Sequence, residues 1–402
     1  MVYLQRTAES VIKKYSNIFK VVLITGARQV GKSTLLKYCD AKRKYVTLDD
    51  LAERELAIND PQLFLQRHKA PIIIDEIQYA PNLLSYIKMV VDTSDAKGQY
   101  WLTGSQQFQL MENVSESLAG RVGIVDLMGL SLSELNKSVK DKPFFPSLEY
   151  IESMRDRSKP YTTEEIFQII YNGSYPALNN GESADRDAFY NSYIRTYIER
   201  DIRDLSSVSD EMKFLKFIRI VAARTGQVLK YSELANEAEI SQPTAKSWLS
   251  ILISSNIVYL LEPYYKNITK RMTQMPKLYF LDTGLCSYLT GWSSPEVIEK
   301  GAMSGAFFET FVISEILKSY RHNGERPLLY WYRDIDQKEI DLIIEKDSKL
   351  HPVEIKLTAN PNKSMAKHFS TIKDRGIGAI VCMKNTDFPI TSDVNAIPVG
   401  YI

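Results

Sequence analysis

The sequence predicts an α/β protein built on a parallel sheet with helices on both faces, and three observations predict it. Short β-branched runs alternate with helical stretches from residue 20 onward. A glycine-rich loop joins the first run to the first helix, and an apolar run ends in two adjacent acids. Strands that alternate with helices run parallel, because each helix carries the chain back across the sheet.

The elements follow in order. Residues 1–20 (MVYLQRTAESVIKKYSNIFK) have amphipathic-helix spacing and lack the layout of a secretory signal. Lys20–Thr25 is the first strand and Lys32–Tyr38 its helix. Lys44–Leu48 is the second strand, followed by a helical stretch through Leu56. Pro71–Ile74 is wholly apolar and reads as a strand buried on both faces. Asn82–Val91 is helical, and Gln99–Thr103 and Gly123–Met128 are the fourth and fifth strands.

A length of 402 residues allows two to four domains. With 44% hydrophobic and 25% charged residues the composition is that of a globular protein. A net charge of +1 gives no bulk attraction to nucleic acid or membrane. No apolar stretch reaches the ~18 residues of a membrane span. Cys39, Cys286 and Cys382 are far apart and show no C-x-x-C spacing, which argues against a disulfide framework or a zinc site. Cys39 and Cys382 read as buried small hydrophobes, and this usage fits a reducing, cytoplasmic setting.

The loop Gly26-Ala27-Arg28-Gln29-Val30-Gly31-Lys32-Ser33-Thr34 matches G-x-x-x-x-G-K-[ST] in full. Gly26 and Gly31 let backbone N–H groups turn inward as an anion nest. The helix that starts near Lys32 points its positive end at the phosphates. Lys32 is expected to reach the β- and γ-phosphates of ATP, and the Ser33 hydroxyl to join the Mg²⁺ shell. Arg28 is expected to face solvent. Asp75 and Glu76 leave the apolar strand at the sheet edge where ligands bind in such folds. Asp75 is expected to hold Mg²⁺ through water and Glu76 to polarise the attacking water. Ser105, after the fourth strand, is the expected γ-phosphate sensor, with Thr103 as alternate. Arg121 either stabilises charge on the transferred phosphoryl group, in its own or a neighbouring subunit, or makes an ordinary surface salt bridge.

The strand between the two motifs resembles the P-loop class that carries a catalytic glutamate, such as AAA+ and RecA-like ATPases. More specifically, GARQVGKST, YVTLDDL, IIIDEIQYAPNLL, LTGSQQF and SLAGRVG resemble the archaeal-type AAA+-related ATPase family over residues 1–135. The resemblance implies an ASCE-type sheet with strand order 5-1-4-3-2 and a functional role for Arg121.

Residues 136–205 read as a helical connector or lid, charged and proline-punctuated over residues 136–165. Thr162 or Thr163 caps a helix there, and Tyr193, Ile194, Tyr197 and Ile198 pack inward from a helix running to Ile202. Residues 206–292 have the pattern of a winged helix-turn-helix: Phe214–Arg224, a helix capped by Ser232, Thr244–Ser255 with Trp248, Leu249 and Leu252 inward, then a hairpin of Val258–Glu262 and Lys277–Leu281. Exposed Lys246 and the wing-loop residues Lys266, Lys270 and Arg271 are candidate DNA contacts. A protein-protein or purely structural role is the alternative.

Residues 293–402 give a helix (Gly305–Tyr320), three strands, a further helix (Lys363–Lys373) and the strand Ala379–Met383. Asp341 on one strand, and Glu354 and Lys356 two apart on its partner, share one side of the sheet. Two carboxylates can bind Mg²⁺ while the lysine orients water, with Glu309 as a further ligand. This set resembles the PD-(D/E)XK nuclease superfamily, a restriction-endonuclease-like fold, and the C-terminal domain that usually accompanies these ATPases, over about residues 190–360. It departs from that pattern in having Ile340, not Pro, before Asp341.

The leading expectation is therefore a Mg²⁺-dependent ATPase that drives or gates winged-helix and nuclease-like domains. The alternatives are an ATP-dependent switch that binds a protein partner or a second copy with little turnover, and an ATP-regulated metal-dependent DNA nuclease.

Overall fold

The computed structural model describes residues 3–105, 114, 117–181, 185–198, 211–265 and 274–402. Its first sheet has β1 (Val21–Thr25), β2 (Lys44–Thr47), β3 (Ile72–Asp75), β4 (Tyr100–Gly104) and β5 (Val122–Asp126) in the order β2-β3-β4-β1-β5. All pairings are parallel. This is the expected 5-1-4-3-2 order read from the other edge.

Alternation along the strands sends successive side chains to opposite layers. Val22, Ile24, Ile73 and Trp101 pack with Val11 and Ile12 of α1 (Ala8–Ile18) and Leu35 and Leu36 of α2 (Lys32–Cys39). Val21, Leu23, Ile72, Ile74 and Leu102 face α3 (Leu51–Asn59), α4 (Pro61–Arg67) and α5 (Leu83–Asp92). The single helix expected after β2 is two. Asp60 closes α3 and caps α4 by accepting from the Leu63 amide, and Pro61 takes the first position of α4, where no N–H is needed.

Beyond β5, Thr162 and Glu165 form a capping box on the helix Thr163–Asn172, as expected. Tyr193 and Ile194 are buried. The expected packing of Tyr197 and Ile198, and the run to Ile202, lies outside what is described. Three helices (Glu211–Ala223, Tyr231–Ala238, Gln242–Ser254) and an antiparallel sheet β6-β8-β7 follow, with β6 Gln227–Val228, β7 Val258–Leu261 and β8 Lys277–Phe280. Trp248, Leu249 and Leu252 point inward and Lys246 is exposed. Ser232 does not cap: Lys230 precedes the helix and makes no side-chain cap. Lys266, Lys270 and Arg271 lie outside the described residues.

The C-terminal segment opens with a long helix, Ser304–Arg321. A six-stranded mixed sheet follows in the order β13-β14-β12-β11-β10-β9. Its strands are β9 Leu328–Arg333, β10 Glu339–Lys346, β11 Lys349–Lys356, β12 Gly378–Cys382, β13 Phe388–Thr391 and β14 Val394–Pro398. The last two were not expected, and Lys363–Thr371 is a 3₁₀ helix rather than an α-helix. Cys286 and Cys382 are buried and Cys39 is half-buried.

The long helix is the wall between this segment and the first domain. Glu315, Lys318 and His322 lie on one side of it. Glu315 Oε2 accepts the Leu132 amide at 2.8 Å, Lys318 Nζ donates to the Leu130 carbonyl at 3.0 Å, and His322 Nε2 accepts the Met128 amide at 3.1 Å. One apolar core therefore runs from α1 to the C-terminal sheet. Among the described residues no helix is long and apolar enough to cross a membrane.

Candidate functional site

The loop Gly26–Thr34 sits where β1 ends and α2 begins. Gly26 has φ 143°, and a Cβ there would lie 2.0 Å from the Leu127 carbonyl oxygen. Gly31 has φ 93° and caps α2 in the left-handed region. Both glycines are required by geometry as well as by the motif. A Cβ on Gly31 would meet Pro176 at 3.7 Å, so the turn 173–176 lies over the loop. Lys32 is buried and donates to the carbonyls of Gly26 (3.1 Å) and Ala27 (2.9 Å). Arg28 is half-buried rather than solvent-facing.

Three hydroxyls converge on Asp75. Ser33 donates to Oδ1 at 2.7 Å, Tyr45 to Oδ2 at 2.6 Å, and Thr103 also donates to Oδ1. Burial, followed by the bond to Asp75, pushes the Tyr45 phenol above its ordinary pKa, so it remains a donor. Lys37 stands 3.6 Å over the Tyr45 ring. Glu76 adopts φ 57°, uncommon for a long side chain, and its amide donates to Thr103 Oγ1 at 3.0 Å. Its carboxylate accepts from the Gln78 amide and from Ser105 Oγ at 3.4 Å. Gln78 also donates to Ser105 at 3.2 Å. Thr103 thus holds the acid pair in place, while Ser105 stands beside Glu76. The hydroxyl of Ser33 against the carboxylate of Asp75 is an all-oxygen pair that suits Mg²⁺ with water as its other ligands.

Arg121 is not brought to this end of the sheet. Its carbonyl accepts the Val21 amide, and Val122 pairs with Val21, at the start of β1. The loop lies past Thr25, about 17 Å away at strand rise. Its side chain is instead held by both oxygens of Asp92 at 2.5 and 3.0 Å. Arg121 precedes the fifth strand, and in a parallel sheet that already places it at the end opposite the phosphate loop, a point that the family resemblance overrode. That placement corrects the expectation that it serves this chain's own phosphates, and the pair with Asp92 is the surface salt bridge that stood as the alternative.

Reasoning from sequence missed Tyr45, Gln78 and Arg6. Gln78 sits in the quoted IIIDEIQ run and Tyr45 in YVTLDDL, but nothing local marks their partners. Arg6 is 3% exposed. Its guanidinium donates to Glu134 (3.0 Å) and to the carbonyls of Val30 (2.9 Å), Met128 (2.7 Å) and Gly129 (3.2 Å). Glu134 also accepts the amides of Thr7 (2.8 Å) and Ser131 (2.9 Å), and His322 Nδ1 lies 3.2 Å from it. Burial alone would raise the pKa of Glu134, but Arg6 and His322 outweigh it and hold the carboxyl well below the usual range.

The C-terminal candidates come together as one cluster. Lys356 Nζ lies 2.7 Å from Glu354 and 3.1 Å from Asp341, whose Oδ2 also accepts the Ile355 amide at 2.8 Å. Glu309 accepts from Tyr279 (2.6 Å) and Lys277 (3.1 Å), and Lys277 also pairs with Glu339 at 2.6 Å. Burial and the charge of Asp341 push Glu354 up to about 8. Lysines sit where the expected metal would, and among the described residues no three acidic, His or Cys side chains converge as a metal site requires. As it stands this cluster does not fit the Mg²⁺ expected there.

A family model described as an AAA domain matches residues 19–136. Two models described as domains of unknown function, DUF8612 and DUF4143, match residues 163–296 and 304–402. Uncharacterized proteins of Mycobacterium tuberculosis and Mycobacterium bovis are each 30% identical over 403 residues, covering 99% of this chain and 84% of theirs. Among solved structures, a Walker-type ATPase of Pyrococcus abyssi aligns at 17% identity and TM-score 0.42, over 71% of this chain and 96% of that one. AMPPCP-bound DnaA from Aquifex aeolicus aligns at 13% identity and TM-score 0.28, over 61% of this chain and 85% of that one. With an AAA domain on its P-loop sheet and near full-length similarity to the mycobacterial proteins, the chain belongs with them to an AAA-related P-loop ATPase family.

Proposed function

We propose that the chain is a Mg²⁺-dependent ATPase whose nucleotide cycle gates its middle and C-terminal segments. The observation that carries the reading is the continuous polar path Ser33–Asp75–Thr103–Glu76–Ser105 at the phosphate end of the sheet. Lys32 leaves the Gly26 and Ala27 carbonyls to meet the β- and γ-phosphates. Ser33 and Asp75 would hold Mg²⁺, which when bound would supply positive charge to offset that building on the phosphate. Glu76, fixed by its backbone and by Gln78, takes a proton from the attacking water, and Ser105 reports the γ-phosphate.

The test is steady-state ATP hydrolysis with Mg²⁺, with and without mixed DNA, comparing wild type with Glu76→Gln. Loss of about 10²–10⁴-fold in the variant, with ATP binding retained, is expected for a general base. Wild-type turnover in the variant would remove Glu76 from the chemistry. DNA stimulation would support the winged-helix reading of the segment that exposes Lys246. Indifference to DNA would favour a protein partner for the same helix. Background-level hydrolysis with tight ATP binding would select the switch reading.

A further inference from the structure

The middle segment holds a cavity of about 360 Å³ that no residue of the phosphate loop or of the C-terminal cluster lines. The helix Arg186–Tyr193, continued by the π-helical turn Ile194–Ile198, and the helix Glu211–Ala223 both pack on the helix Thr283–Leu289. Tyr190 and Tyr193 of the first, and Phe214, Phe217 and Ile218 of the second, are buried. The positions beside them line the cavity: Asn191 and Arg195 on one element, Leu215 and Arg219 on the other, each pair a turn apart. Tyr288 and Leu289 add to the lining. A π turn is rare and is frequently found at functional sites, and here it carries Arg195. Nearby arginines are engaged: Arg186 with Asp187, the Ser287 hydroxyl and the Tyr171 carbonyl, and Arg224 with Glu233 and Glu237. Arg195 and Arg219 have no such partner among the described residues. Two guanidiniums in one concavity focus a positive field that nothing in the chain offsets. The Tyr288 ring is set in advance, 5.7 Å from the Tyr190 ring and 5.9 Å from the Arg186 guanidinium.

We propose that this cavity is a second ligand site, for a phosphate monoester with a small aromatic body. Arg195 and Arg219 take the phosphate, and Tyr288, Leu215 and Leu289 take the body. The charge count selects the head group: a phosphate monoester carries close to two negative charges at neutral pH, matching two guanidiniums, and guanidinium forks bind phosphate oxygens two at a time. The Asn191 amide can donate to a further oxygen. The volume selects the size, since it falls at the lower end of the range for small-molecule pockets. The lining also tells against a nucleic-acid backbone. That ligand is met by a run of cations along an open groove, whereas here two cations stand over an apolar floor.

The test uses the full chain without ATP, so it stands apart from the ATPase reading. Phenyl phosphate is the probe, titrated by saturation-transfer NMR into wild type, Arg195→Met, Arg219→Met and Lys32→Ala. Methionine keeps an apolar stem and removes the charge, and both arginines are exposed, so circular dichroism should show an unchanged fold. Each arginine variant should weaken binding at least about tenfold, as loss of a charged hydrogen bond does. Lys32→Ala should retain the arginine-dependent binding. Phenyl sulfate, of the same shape with a single charge, should bind about tenfold more weakly than the phosphate. Binding lost in Lys32→Ala but kept in both arginine variants would put the probe in the phosphate loop and overturn the proposal. So would no binding by wild type at millimolar probe, or phenol binding as tightly as phenyl phosphate. A single-stranded oligonucleotide that binds more tightly than phenyl phosphate through both arginines would overturn it in favour of a nucleic-acid contact.

Discussion

Arg6→Met tests whether the phosphate loop is held in shape from behind. The substitution keeps the length of the apolar stem and deletes a guanidinium that is 3% exposed. It leaves Glu134, 0% exposed, with His322 and two backbone amides as partners, and strips a donor from the carbonyls of Val30, Met128 and Gly129. Removing one partner of a buried pair typically costs 3–5 kcal/mol, so about 4 kcal/mol is expected here, or roughly three decades in the folded-to-unfolded ratio. Urea unfolding followed by circular dichroism measures it as a lowered midpoint. Because the Val30 carbonyl is what Arg6 pins, the Val30–Gly31 peptide also becomes free to turn. ATP affinity in a fluorescent-nucleotide titration should then fall about tenfold, some 1.4 kcal/mol. Arg6→Lys separates charge from shape: a lysine restores the ion pair but cannot span four acceptors in one plane, so recovery should be partial. A loss under 1 kcal/mol in Arg6→Met with unchanged affinity would refute the argument, and full recovery by lysine would reduce it to charge alone.

Other outcomes follow from the same geometry. Tyr45→Phe removes the donor to Asp75 Oδ2 and should raise the Mg²⁺ needed for half-maximal ATP hydrolysis several-fold while changing the rate at saturating Mg²⁺ little; equal sensitivity of both would make the phenol merely structural. Gly26→Ala forces a Cβ to 2.0 Å from the Leu127 oxygen at φ 143°, so melting should show a loss of about 2–4 kcal/mol and nucleotide binding should vanish. Stability should fall on acidification in two stages. Burial lowers the pKa of His322, so the unfolded chain takes up protons first and stability declines below about 6.5. The depressed pKa of Glu134 means that its contribution is present above its unfolded value of about 4.5 and is lost as pH falls further. Melts across pH 3–8 check both stages, and Glu134→Gln should flatten the lower one.

The chemistry of the first domain was legible because its parts are contiguous. Glycines, a lysine and a hydroxyl in nine residues dictate a loop, and an apolar strand that ends in two acids dictates where they emerge. Strand order followed from family resemblance rather than from periodicity. What remained hidden depends on distance in sequence: Tyr45 meets Asp75 across two strands, and Arg6 meets Glu134 across more than a hundred residues. No pattern of neighbours encodes such pairs. Arg121 shows the converse error: it precedes its strand, so the parallel sheet sets it at the end opposite the phosphate loop, yet the family resemblance gave it a role there. The C-terminal cluster was found from the E-x-K spacing, but Lys277, which changes its meaning, comes from a different segment. Strands β13 and β14 were passed over because Pro389, Pro398 and intervening polar residues dilute their alternation.

Separate family descriptions cover the beginning, middle and end of this chain, which invites the view that it could be divided at their borders. The helix Ser304–Arg321 and the His322 that follows it speak against that. They supply the acceptors for Leu132 and Met128 and the donor for Leu130, all buried groups of the stretch that leaves the nucleotide sheet. A chain cut before residue 304 would strip these groups of their partners and would bare the apolar face that the helix covers. The nucleotide-binding part is therefore expected to aggregate or unfold when produced alone. Inherited change in either half is correspondingly constrained by the other: a substitution at Glu315 or Lys318 belongs, in its effects, to the ATPase as much as to the segment in which it is written.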